Sequence, residues 1–309
     1  VKHSLFSRFQ GCFLGMAMGE SFGSEAHRLL PHRSNSETAA CSPFPWTVAA
    51  IGQGEKLAQA GHIVAPELLS ATLAGKSTGK LSPGELAIAT LPIALFYYDN
   101  LTQQRHYLVE AVAAGGGDLI TADAVIVFGY AIAQAIKEQL TPASFTTQIL
   151  TYLHVSLPES VVRSAELIST LEILKRLIAN GSELQGVIAA FQLDAETKPM
   201  SIEIAIALYC FLQTPDNISL ALNRAVQLGI KLDIVGALIG ALVGTHSSTV
   251  GIPAEWQCAL QTQFATPEFS QRIDHLSAQL VSAWSGVYNS FILQEKELPI
   301  ATVPWVVRS

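Results

Sequence analysis

Two stretches of this sequence carry glycine at every fourth position: Gly11, Gly15 and Gly19 near the start, and Gly236, Gly240 and Gly244 in a late apolar run. Residues four apart share one face of a helix, so each stretch reads as a helix with a smooth strip along which another backbone can approach closely. A glycine inside a helix costs roughly 1 kcal/mol against alanine. Close packing offsets that cost, by the steric logic best documented in membranes but valid in any dry core. A pair of core helices with no further role satisfies the pattern equally well.

Apolar residues recur at helical spacing through most of the chain, and alternating runs bounded by turn residues are scarce. The spacing predicts helices over residues 3–22, 46–60, 65–73, 83–98, 103–114, 121–138, 143–154, 158–180, 184–191, 201–213, 217–228, 230–244, 253–264 and 267–294. Punctuation agrees with these breaks. Ser82-Pro83-Gly84-Glu85 offers a capping serine, proline at the first helical position and an acid in the first turn. Leu157-Pro158-Glu159 and Thr266-Pro267-Glu268 repeat the proline before an acid. Asn180-Gly181 suits a helix C-terminus. Residues 23–45 form the one long irregular stretch, polar and holding Pro31, Pro43 and Pro45, of a length that is functional or disordered in compact domains. Residues from about 297 to 309, with Pro299 and Pro304, read as an extended tail. No linker divides the chain and no fixed period marks a solenoid, so one all-α domain over residues 1–309 is expected.

Only 14% of the residues are charged, against about 25% in ordinary soluble domains, and 50% are apolar. The net charge is −7. A disordered chain needs the opposite balance, and a nucleic-acid binder needs a basic face; neither class is expected. Crossing a bilayer takes roughly 20 consecutive apolar residues. The longest run, 234–243, is bounded by Asp233 and by Gly244, Thr245 and His246, so it reads as a core helix and no membrane partner is expected. The start, Val1-Lys2-His3-Ser4, lacks the apolar stretch of a secretory signal. Lacking an initiator Met, it reads as beginning inside a longer natural sequence. Cys12, Cys41, Cys210 and Cys258 lie far apart with no C-x-x-C pair, which suits neither a zinc site nor a disulfide scaffold. Reduced, mostly buried thiols in a cytoplasmic protein are the expectation. The high apolar fraction leaves room for an oligomer interface.

Several motifs resemble the ADP-ribosylglycohydrolase family, which includes the dinitrogenase-reductase activating glycohydrolases and the J-type crystallins. The stretch Phe9-Gln-Gly-Cys-Phe-Leu-Gly-Met-Ala-Met-Gly-Glu-Ser-Phe-Gly23 looks like the family's first helix, G-x-x-x-G-x-A-x-G-D-x-x-G, with Glu20 where Asp is usual. Residues 84–95, with Pro92, are similar to the segment N-G-x-x-M-R-x-x-P, the family's Arg falling on Ala89. Ala221-Leu-Asn-Arg-Ala-Val-Gln-Leu-Gly229 looks like the approach to the second metal motif. Residues 235–244, followed by Gly251-Ile-Pro-Ala-Glu-Trp256, match the usual ending. The resemblance runs in order from about residue 5 to 265. It implies a compact, orthogonal, multi-helix domain that holds two Mg²⁺ ions and cleaves a glycosidic bond to ADP-ribose.

The same resemblance locates the metal ligands in a T-D-D cluster before the second helix and a D-x-D-T cluster before the late apolar helix. Here the first falls on Phe44-Pro45-Trp46, with Thr47 next, and the second on Lys231-Leu232-Asp233-Ile234. Asp233 is the one retained ligand position. No acid lies between Thr38 and Gly54, so a register slip cannot restore the first cluster. A lysine at a dication site repels the metal, whereas Lys231 beside Asp233 can form a metal-free ion pair, each keeping the other charged. No cofactor is therefore expected, and Lys231, Asp233 and Glu20 are expected to replace the structural role of the ions. A Lys231 pointing into solvent at a helix start is the plainer alternative.

Glu20 and Asp233, with Glu25 nearby, are the catalytic candidates, because glycoside hydrolysis can run on two carboxylates without metal. Glu20, Phe44, Pro45, Trp46, Thr47, Lys231 and Asp233 make the expected ligand cleft, with Phe44, Pro45 and Trp46 either plugging it or stacking on a flat ligand. His27, Arg28, His32 and Arg33 can reach a phosphate or lie solvated in the loop. His246-Ser247-Ser248 reads as a loop, lacking the context of a nucleophile elbow. Gly115-Gly-Gly-Asp118 reads as a helix connection. The expected function is a non-catalytic binding or structural homologue, with an ADP-ribose-like or other small molecule as partner. The alternative is an active hydrolase of an ADP-ribosyl or related N-glycosidic bond with a metal-poor site.

Overall fold

The computed structural model describes residues 3–29, 45–60, 81–156, 165–193, 199, 201–263 and 268–286, and all regular structure among them is helical. Two helices form its axis: α1 (Leu5–Leu29) and, late in the chain, a helix at Leu232–Ser247. They run antiparallel along the two glycine strips. A Cβ on Gly11, Gly15 or Gly19 would collide with the carbonyl oxygen of Gly244, Gly240 or Gly236 respectively, and the reverse collisions are equally severe. The strip extends one turn beyond the sequence expectation, because a Cβ on Gly23 would strike the Leu232 carbonyl. The missing side chains are what allow these backbones to touch.

Between these helices lie α2 (Pro45–Ala60), α3 (Pro83–Ala89), α4 (Leu91–Phe96), α5 (Leu101–Ala114), α6 (Leu119–Ile136), α7 (Pro142–Ser156), α8 (Ala165–Ala179), α9 (Leu184–Ala190), α10 (Ile202–Gln213) and α11 (Ile218–Leu228). The axial partner of α1 is α12, and α13 (Ala254–Gln263) and α14 (Glu268–Trp284) follow. Around the axis, α3, α6, α10 and α11 pack on α12, while α2 and α14 pack on α1. Every residue of α10 from Ile202 to Leu212 is buried, as is α6 from Thr121 to Ile136. Among the described residues α6 alone is long and apolar enough to cross a membrane, and 89% of it is covered by the fold, as in a core helix.

Several helix bounds differ from expectation, and four of the differences matter to the packing. First, α1 continues to Leu29, so part of the irregular 23–45 stretch is helical. Second, the single helix expected over 83–98 is two, broken at Thr90. Pro92 has no N–H to give the Ile88 carbonyl, while the Thr90 N–H closes the preceding turn on the Leu86 carbonyl at 2.9 Å. Third, α12 runs on to Ser247, placing His246 and Ser247 in its last turn rather than in a loop. Fourth, α2 starts one residue early, at Pro45. The expected helix at 65–73, the start of 158–180, the end of 267–294, residues 30–44 (with Phe44, His32 and Arg33) and the tail lie outside the described residues. Asp118 accepts from the Thr121 N–H at 2.9 Å and caps α6, so 115–118 is a helix connection.

One buried cation secures the far end of the axis. Arg8 of α1 is 3% exposed. Its Nη1 donates to the carbonyls of Ala135 (3.1 Å), Thr245 (3.0 Å) and His246 (2.9 Å), and Nη2 to Glu138 Oε1 (2.6 Å). These carbonyls lie in the last turns of α6 and α12, at the negative ends of the helix dipoles, and Ala135 also accepts from the Glu138 N–H at 3.2 Å. A planar guanidinium can serve several of them at once. Burial holds the nearby His246 imidazole below its ordinary pKa, Arg8 adding to that effect and Asp216 opposing it.

Candidate functional site

At the opposite end of the axis, the N-termini of α2, α3 and α12 converge, each supplied with an acid. Glu20, on α1 next to the glycine strip, is 1% exposed. Its Oε1 accepts from the Trp46 N–H (3.0 Å), and its Oε2 from the Thr47 N–H (2.8 Å) and Thr47 Oγ1 (2.6 Å). These are the unpaired donors at the start of α2, so Glu20 caps that helix from a distance. Burial pushes the Glu20 carboxyl above its ordinary range; the Thr47 and Trp46 bonds pull it back, and the charge of Asp233 adds to the rise.

Glu203 has the same role at α3. It is 4% exposed, and its Oε2 accepts from Ser82 Oγ (2.7 Å) and the Gly84 N–H (3.0 Å). Ser82 also completes a capping box with Glu85. A Cβ on Gly84 would fall on Glu203 Oε2 and on the Ile234 side chain, so a larger residue would have to displace the Glu203 carboxylate from its hydrogen bonds. The other oxygen of Glu203 meets Lys231 Nζ at 2.5 Å, the lysine side chain being 51% exposed, so that it is open to solvent and paired at once. Burial works against the Lys231 charge, but Glu203, Glu85 and Asp233 outweigh it and raise the ammonium above its usual value.

Lys231 occupies the N-cap of α12 in the left-handed region, φ 33° and ψ 61°, and its side chain caps nothing. Asp233 lies half-buried in the first turn of α12, next to the crossing of Gly23. The ion-pair partner of Lys231 is thus Glu203, not Asp233. Residues two apart on a helix do not face each other.

Of the sequence candidates, Glu20, Pro45, Trp46 and Thr47 meet at the start of α2, and Lys231 and Asp233 at the start of α12; the charge of Asp233 reaches both Glu20 and Lys231. Trp46 is half-buried and packs on the core. Phe22 stacks on Trp256 at 5.8 Å, which joins α13 to the same end of α1. Glu25, His27 and Arg28 lie on the last turns of α1, but their side chains are outside the described set, as is Phe44 entirely. Sequence reasoning missed Glu203 and Arg8, and named Ser82 only as the cap of its own helix. The available signal for Glu203 was one acid inside the apolar run Ile202-Glu203-Ile204-Ala205-Ile206. Among the described residues, no three His, Cys, Asp or Glu side chains form a group able to hold a metal ion.

A family model described as ADP-ribosylglycohydrolase matches residues 47–289. A solved structure described as an ADP-ribosylglycohydrolase-related protein complex resembles this chain with a TM-score of 0.61, over 91% of this chain and 99% of that one, at 16% identity. At that identity the likeness concerns the fold. No match was found among curated proteins.

Proposed function

The chain belongs to the ADP-ribosylglycohydrolase family, and from that premise we propose that it is a homologue that has lost most of the dinuclear magnesium ligands and serves as a non-catalytic binding or structural protein. The observation that carries this is the use made of the two buried carboxylates. Glu20 is consumed by the start of α2, and Glu203 by the start of α3 and by Lys231. Magnesium requires oxygen ligands at about 2.0–2.1 Å in near-octahedral array. Asp233 is the one carboxylate at an expected ligand position, and an ammonium stands two residues before it. These residues do not fit a pair of magnesium ions.

The described residues also argue against a metal-free glycosidase. That reaction needs two carboxyl groups facing one substrate. Among the described candidates, Glu20 is 1% exposed and turned into α2, so it is not presented with Asp233 to a substrate. The ligand proposed for this protein, an ADP-ribose-like or other small molecule, comes by family analogy alone. The half-buried Asp233 favours the second reading, a hydrolase of an ADP-ribosyl or related N-glycosidic bond with a metal-poor site.

Incubation of the full chain with ADP-ribosylated arginine and serine peptides, in Mg²⁺ or Mn²⁺, tests the choice. Released ADP-ribose is expected to stay at the level of the protein-free control. Release that disappears in Asp233→Ala would overturn the non-catalytic reading.

A further inference from the structure

Three local costs converge on one ion pair. Glu203 places a carboxylate among Ile202, Ile204, Ala205 and Ile206, all buried, where a lone charge is strongly disfavoured. Lys231 adopts a left-handed backbone that a residue with a Cβ rarely visits, at an N-cap where Ser, Thr, Asp or Asn would be favoured. Gly84 gives up a side chain in the first turn of α3 so that Glu203 Oε2 can approach its N–H. Glu203 suits the first turn of α10, but neither Lys231 nor Gly84 improves its own helix. Local rules broken together at one place mark a feature the fold retains for another reason. The common product is Lys231 Nζ at 2.5 Å from Glu203 Oε1, while Glu203 Oε2 holds Ser82 and Gly84.

We propose that Lys231 supplies the resident cation of this site, its ammonium binding α12 to α10 and, through Glu203, to the start of α3, so that the three segments are locked without a divalent ion. This rests on the reading that the dinuclear ligands are lost, and it adds the identity of the replacement and its partner. Glu85 and Asp233 are the other carboxylates whose charge the ammonium feels. The lock is covalently part of the chain and cannot be removed by chelation.

A double-mutant cycle on the full chain tests the pairing. Thermal midpoints are compared for wild type, Lys231→Met, Glu203→Gln and Lys231→Met/Glu203→Gln. Removing the cation alone strands a buried carboxylate, so the double variant is expected to recover roughly half or more of the midpoint lost in Lys231→Met. If Lys231→Met does not fold, a folded double variant supports the pairing, and failure of both overturns it. Propylammonium, which replaces the atoms deleted in Lys231→Ala, is expected to raise the midpoint of that variant saturably and to leave wild type unmoved. Additive losses in the cycle, or a response to propylammonium no larger than to potassium chloride, would overturn the inference. Neither readout measures ADP-ribose release, so the pairing can fail while the non-catalytic reading stands, and the reverse.

Discussion

Gly240→Ala is expected to destabilise the protein by about 3 kcal/mol or more, the upper end of what overpacking costs, although alanine is the better helix former by about 1 kcal/mol. The two effects oppose each other, and geometry decides between them. The new Cβ would fall onto the carbonyl of Gly15, on the facing backbone of α1, and not onto the end of a flexible side chain. Backbone atoms inside a paired helix cannot rotate aside, so α1 and α12 would have to separate along the whole strip. Gly52→Ala is the internal control. Gly52 lies within α2 with nothing near its missing Cβ, so the same substitution is expected to stabilise by up to about 1 kcal/mol. Urea unfolding of both variants checks the opposite signs. A Gly240→Ala protein as stable as wild type would contradict the contact between the strips.

Arg8→Met should be comparably damaging, for a different reason. The substitution keeps an apolar stem of similar length but takes the guanidinium from the carbonyls of Ala135, Thr245 and His246, of which Ala135 still accepts from the Glu138 N–H at 3.2 Å. A bond to a charged group contributes about 1.5–3 kcal/mol, and an unsatisfied buried acceptor costs about 1–3 kcal/mol. The three losses overlap, so a total of about 3 kcal/mol or more is expected. The Glu138 contact adds little, because that carboxylate is 39% exposed and screened by water. Arg8→Lys should recover only part of the loss, because one ammonium cannot reproduce the guanidinium fork that serves two helix ends. Equilibrium unfolding of Arg8→Met, Arg8→Lys and wild type orders the three. A loss in Arg8→Met within a few tenths of a kcal/mol of a surface substitution would contradict the buried hub.

The axis of the fold was legible because it is periodic. Glycines four apart announce a smooth helix face wherever they pack, and the opposing strips met one another. The helices between them followed apolar spacing, with errors where a single residue outweighed the pattern. Pro92 split one helix, while α1 and α12 ran past their expected ends, α12 as far as the turn whose carbonyls accept from Arg8. The site was only half legible. Motif positions led to Glu20, Thr47, Lys231 and Asp233, but a motif cannot say which side chain a charge meets. Lys231 and Asp233 are near neighbours in sequence and were expected to pair; the helix turns them apart, and Glu203 arrives from α10. Arg8 was invisible for the same reason. Its partners lie more than a hundred residues away, at the ends of two helices, and no local pattern encodes them.

The central claim is that charges and hydrogen bonds of the chain itself hold the end of the axis where relatives are expected to place two metal ions. The most direct measurement is the thermal midpoint of the full chain titrated with Mg²⁺ and Mn²⁺. A ligand that binds only the native state raises stability by RT ln(1 + [L]/Kd), about 2.7 kcal/mol at a hundredfold excess over Kd, so a working site would be plainly visible. The account predicts a midpoint unchanged by either ion from micromolar to millimolar concentration. A saturable rise in that range, abolished by Asp233→Ala, would contradict it.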